Sequence, residues 1–161
     1  MAIVDLLPDE FSRNLLSGSL MVAKDSSNPV RLHLAAAGLR ELFGHILHSN
    51  APDEAVRACS WFKQDPNTKT VTRRQKAIYS TQGGLSDAFV EQLGLNVEDL
   101  HKAAIRSIEV LNKATHVRPA TLVSDDKIIQ AFIDEAVIAL EGLLESFYHG
   151  RDAVKNALVD D

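Results

Sequence analysis

The stretch SDDKIIQAFIDEAVIALEGLLESFY, Ser124 to Tyr148, decides the fold. Its apolar residues recur at spacings of three and four: Ile128, Ile129, Phe132, Ile133, Val137, Leu140, Leu143, Leu144 and Phe147. That is the period of an α-helix, not the alternation of a strand. Ser124 is a suitable N-cap, and Asp125 and Asp126 in the first turn complement the helix dipole. The expected helix spans about 125–148, with room to run past Gly150. Its apolar arc is wider than a surface helix needs. Ile138 even falls on the polar line of Lys127, Asp134, Glu141 and Glu145. The expectation is a helix either central to a bundle or shared with a second copy or a partner protein, with Ile133, Ile138, Leu140 and Leu144 as its interface.

Working outward, the same period recurs. Residues Pro8 to Lys24 read as a first helix. Asn28 and Pro29 open a second, to about Ser49, with the stripe Leu32, Ala35, Leu39, Leu42 and Ile46. Residues 50–71 are irregular: a short helix after Pro52, then a loop anchored by Trp61 and Phe62. Thr72 caps a helix that Gly83-Gly84 stops, Ser86 caps a short one that Gly94 stops, and Asn96 caps a helix to about Thr115. No stretch alternates long enough for a strand. The expected fold is therefore all-α, a bundle of five to seven helices forming one domain over residues 1–161.

Composition narrows the class. Hydrophobic residues make up 45% of the 161, enough for a packed core and too many for a disordered chain. The lone Cys59 closes no intrachain disulfide and builds no zinc cage. The opening MAIVDLLPDE lacks the basic region of a signal peptide, and no apolar run reaches the length of a bilayer crossing. A cytoplasmic protein without membrane, metal or cofactor is expected. The net charge of −5 is uneven: from Ala120 onward nine Asp/Glu face three Lys/Arg, leaving residues 1–119 at a net +1. That argues against a general nucleic-acid coat but leaves room for a local basic patch.

Four constellations could carry chemistry. On the second helix His33, Ala37, Arg40, Gly44 and His48 form one line, with Glu41 and His45 beside it. Small residues there would let another backbone approach, and a guanidinium beside imidazoles suits a phosphate. The bland reading is a solvated polar face. The junction Asn112-Lys113-Ala114-Thr115-His116-Val117-Arg118 gathers polar groups at a helix end, where cations are favoured by the dipole in any case. The run Lys69, Arg73, Arg74 and Lys76, after Trp61 and Phe62, suits phosphates and unstacked bases, against the alternative of a solvated loop. Gln82-Gly83-Gly84 reads as a helix–turn–helix connection rather than a phosphate loop. Cys59 has no basic neighbour or helix N-terminus to activate it.

The segments NPVRLHLAAAGLRELFGHILH, APDEAVRACSWF, VTRRQKAIYSTQGGLSDAFVEQLGL and LNKATHVRP, between Asn28 and Pro119, resemble the N-terminal helical region of bacterial proteins labelled as predicted nucleases associated with prokaryotic PIWI proteins. In such proteins the nuclease label belongs to a β-rich region further along. A looser resemblance is to HEPN domains, helical bundles of bacterial defence and toxin systems. Many of those are metal-independent ribonucleases with an Arg-x4–6-His motif at a dimer interface, a spacing that Arg40-Glu-Leu-Phe-Gly-His45 fits. The HEPN resemblance implies that Arg40 holds a phosphate while His45, with His48 or His116 nearby, assists attack by a ribose 2′-hydroxyl. The leading expectation is a non-catalytic interaction or regulatory module of a defence-type system, assembling through its last helix and binding RNA or DNA through Lys69, Arg73, Arg74, Lys76 and Arg118. The alternatives are a HEPN-like ribonuclease and a purely structural oligomerisation domain.

Overall fold

Every regular element is a helix in the computed structural model, which describes residues 2–92, 94 and 98–159. In chain order they are α1 (Ile3–Leu6), α2 (Glu10–Lys24), α3 (Arg31–Asn50), α4 (Asp53–Arg57), α5 (Arg73–Gln82), α6 (Asp87–Gln92), α7 (Glu98–Ala114) and α8 (Asp126–Val159). Seven answer to the expected helices. The eighth, α1, is a single turn that the sequence pattern is too short to reveal.

Local chemistry fixes most boundaries. Asp9 caps α2: its carboxylate accepts from the Ser12 N–H at 2.8 Å, and the Ser12 hydroxyl reaches back to the Asp9 backbone. Thr72 and Gln75 make the same reciprocal box at the start of α5. Gly83 ends α5 at φ +60°, a conformation that side chains other than glycine rarely adopt. Its N–H closes the last turn on the Tyr79 carbonyl at 2.8 Å. Ser86 caps α6 through the Phe89 N–H. At α8 the cap is Asp125 and not Ser124: its carboxylate accepts from the N–H groups of Lys127 and Ile128. The expected cap Asn96 lies outside the described residues.

The chain divides into two compact units. The first comprises Met1–Ile46 and Arg106–Leu140. Its part of α3 is buried well beyond one stripe: Ala36 and Phe43 join Leu32, Ala35, Leu39, Leu42 and Ile46. α2 and α3 approach closely where a Cβ at Gly38 would overlap the Ser19 hydroxyl. On α8, Ile129, Ile133, Ala136 and Leu140 are buried, while Ile128 and Ile138 are 56% and 67% exposed. The residues expected at an interface divide by burial. Ile133 and Leu140, like Leu144 in the second unit, are core residues, so only Ile138 of that set is at the surface. Much of the unusual apolar width of α8 is consumed by the chain's own packing.

The second unit comprises Leu47–Ile105 and Glu141–Asp161. Ala51, Val56 and Val71 form a buried cluster, with Trp61, Phe62 and Tyr79 packed against it. The Trp61 indole N–H donates to the Gly83 carbonyl at 2.9 Å, pinning the loop before α5 to the end of α5. The Lys76 ammonium donates to the Ala51 carbonyl at 3.3 Å and pairs with Asp53 at 2.7 Å, joining α5 to α4.

Candidate functional site

The polar line on α3 does not converge on one point. His33 is buried, and both ring nitrogens are used. Nδ1 lies 2.7 Å from the Ala114 carbonyl, and Nε2 lies 3.3 Å from the Val123 nitrogen. A carbonyl can only accept and an amide N–H can only donate. The ring is therefore the tautomer protonated at Nδ1, which ties α3 to the end of α7 and to the segment before α8. Arg40 reaches the same end of α7. Its Nη1 donates to Thr115 Oγ1 at 3.3 Å, and the Thr115 hydroxyl donates onward to the Asn112 carbonyl at 2.7 Å. Its Nη2 donates to the neighbouring Glu41 at 3.1 Å.

His45 faces elsewhere. Its Nε2 lies 2.7 Å from Asp9 Oδ2, and the Phe11 ring stands edge-on at 4.8 Å. Asp9 is thereby held to an acid strength well beyond the ordinary carboxyl, with a pKa of about 2. The Ser12 backbone N–H is the main cause, followed by the His45 hydrogen bond. Five residues on a helix turn through about 140°, which is why Arg40 meets α7 while His45 meets the cap of α2. His116 is exposed just past α7, and no hydrogen bond or ring contact joins it to His45. His48 is exposed near Asp53, whose carboxyl is held below its usual range chiefly by Lys76.

The small residues also play unexpected parts. Gly44, on the line, has open space where a Cβ would stand; the notch is Gly38, which is not on it. One pairing was not visible in the sequence at all: Arg31, buried at the start of α3, is bonded to Asp126 at the start of α8. No local signal could have found it, because the partner is 95 residues away.

In the second unit the basic run separates into two kinds of residue. Lys69, Arg73 and Arg74 are exposed. Lys76, expected to join them, is instead buried and committed to Asp53 and Ala51; α5 turns it inward, away from the surface that nucleic acid could reach. Arg118 belongs to the first unit, exposed, with its N–H on the Thr121 hydroxyl. The Cys59 thiol donates to the Ala55 carbonyl, and burial pushes its pKa up, the opposite of an activated nucleophile. Among the described residues no group of three or more His, Cys, Asp or Glu is placed to hold a metal ion. Among them, too, no helix is long and apolar enough to cross a membrane.

The fold and these pairings define an all-helical protein in which Arg31, His33, Arg40 and His45 of α3 bind helix ends together. The sequence places it more closely. Residues 4–140 match the family described as predicted pPIWI-associating nuclease, and the chain belongs to that family. No curated protein and no solved structure gives a significant match.

Proposed function

We propose that this chain is a non-catalytic interaction and regulatory module of a pPIWI-associated, defence-type system. In this reading it assembles with a second copy or a partner protein through the exposed side of α8 around Ile138. It contacts nucleic acid through Lys69, Arg73 and Arg74, with Arg118 a further phosphate contact. The observation that carries the reading is the divergence of Arg40 and His45. A phosphate-holding guanidinium and a general base must meet one substrate within hydrogen-bond reach, whereas these two side chains are tied to α7 and to the cap of α2.

The test is incubation of RNA with the purified protein in EDTA. Intact RNA at high protein concentration is expected. EDTA-resistant cleavage that disappears in folded Arg40→Ala or His45→Ala variants would overturn the reading in favour of a metal-independent, HEPN-like ribonuclease. One observation favours that second reading: Asp9 lies 2.7 Å from His45 Nε2, and a carboxylate so placed can orient an imidazole, here leaving Nδ1 as the nitrogen to act. Assembly is tested by sedimentation of Ile138→Glu. A wild-type dimer that becomes monomeric supports the α8 interface; an unchanged dimer places the interface elsewhere.

A further inference from the structure

The edge of the second unit around the start of α5 carries a cluster of cations that its own helix does not favour. The first turn of α5 holds Arg73 and Arg74 and no acidic residue. The exposed N–H groups of a helix N-terminus already concentrate positive potential, so two arginines there oppose the dipole. Backbone-directed hydrogen bonds bring more charge to the same edge. Gln75, in the first turn, donates to the Lys63 carbonyl at 2.7 Å, and Arg57 donates to the Lys69 carbonyl at 3.1 Å. Lys63, Lys69, Arg73 and Arg74 are all exposed, and among the described residues no ion pair neutralises them. In a chain of net charge −5 this is a local reversal of sign that suits a polyanion.

The aromatic residues beside it are half-buried in the unit's own packing. Trp61, Phe62 and Tyr79 are packed on the Ala51–Val56–Val71 cluster, and the indole N–H is spent on the Gly83 carbonyl. Proteins that hold single strands without sequence preference usually stack bases on exposed aromatic rings. With the rings half-buried, the four exposed cations are the larger source of affinity at this edge, and they respond to the density of phosphates. A duplex carries one charge per about 1.7 Å of axis, twice the density of one of its strands.

Building on the nucleic-acid part of the reading above, we infer that this edge binds the phosphate backbone of duplex nucleic acid, with no base stacking and no base readout. The experiment is fluorescence anisotropy of the full chain with a short labelled duplex, its separated single strand, and the same strand with abasic sites, across a salt series. The duplex is expected to bind more tightly than the strand, and abasic sites are expected to change nothing. The logarithmic salt slope should lie near −3 to −4, from about 0.9 per phosphate and up to four contacts. The Arg73→Ala/Arg74→Ala variant should flatten that slope by about two, one per lost phosphate contact.

Three results would count against this. Preference for the single strand, or weakening on removal of bases, would each overturn the phosphate-only inference and leave nucleic-acid binding itself standing. Absence of binding to all three probes at low salt would remove the broader reading as well.

Discussion

Replacing Gly38 by alanine tests the packing of the first unit most directly. Gly38 lies in the middle of α3, where alanine is intrinsically favoured over glycine by about 1 kcal/mol. On propensity alone the variant should be more stable. The structure reverses the sign. The new methyl would overlap Ser19 Oγ and stand 3.3 Å from Ser19 Cβ. Ser19 is buried, and its hydroxyl is anchored to the Leu15 carbonyl at 2.7 Å. Rotating the hydroxyl away relieves the first overlap but breaks that bond, a net loss of about 0.5–1.5 kcal/mol. The remaining contact between the two Cβ atoms still requires α2 and α3 to part by a few tenths of an ångström. Overpacking of this kind costs about 1–3 kcal/mol.

The expected balance is a loss of about 1–2 kcal/mol, measured as a shifted urea midpoint with an unchanged slope. Two companions make the result decisive. Gly44→Ala, on the same helix but with nothing within 4 Å of the new methyl, should gain up to about 1 kcal/mol. In a Ser19→Ala background the cost of Gly38→Ala should fall by about 1 kcal/mol, because the hydroxyl is no longer in the way. A Gly38→Ala variant as stable as Gly44→Ala would refute the close approach of α2 and α3.

Three further outcomes follow from single contacts. His33→Leu strands the Ala114 carbonyl and the Val123 N–H, two backbone groups that lose their partner at about 1–3 kcal/mol each; a drop of about 2–4 kcal/mol in thermal unfolding is expected, and a neutral effect would contradict the observed tie. Asp9, with its folded pKa lowered from 3.8 to about 2, contributes stability that is fully present above pH 3.8 and fades as pH falls through about 2. Asp9→Asn should therefore flatten the melting temperature between pH 4 and 2, whereas an acid limb unchanged in that window would show that the pairing with Ser12 and His45 does not persist in solution. Arg73→Glu should raise the stability of α5 by about 0.3–1 kcal/mol by matching the dipole while lowering affinity for a duplex; a variant that loses stability and keeps affinity would show that the arginine serves the fold.

The helices were legible because their signals are local. Thr72 with Gln75, Ser86 before α6, and glycine at 83 each act on neighbours within a few residues, and each appears where the chain's chemistry places it. The stripe on α3 was legible for the same reason. What the spacing could not tell was how much further burial extends. Ala36 and Phe43 lie off the stripe and are enclosed because other segments cover that side as well. The buried face of α8 was equally readable as a partner's seat or as the chain's own core. Burial of Ile133, Leu140 and Leu144 shows that it is core, with Ile138 left exposed.

The candidate site was illegible for a related reason. His33, Arg40, His45 and Arg31 find partners 81, 75, 36 and 95 residues away. Each has the side-chain chemistry of a catalytic group and the contacts of a structural one, and only the distant partner decides between them. A histidine whose two nitrogens are spent on a carbonyl and an amide N–H has none left to offer a substrate, which removes His33 from the line. Arg40 and His45 are only half-buried, so their separation, not their burial, weighs against a shared reaction. At α5 the argument runs in the opposite direction. Among the described residues Arg73 and Arg74 pair with no carboxylate, and they oppose the dipole of their own helix. Their exposure and their opposition to the dipole are what the proposed phosphate contact rests on, and the salt-dependence of the Arg73→Ala/Arg74→Ala variant decides between that contact and a merely solvated surface.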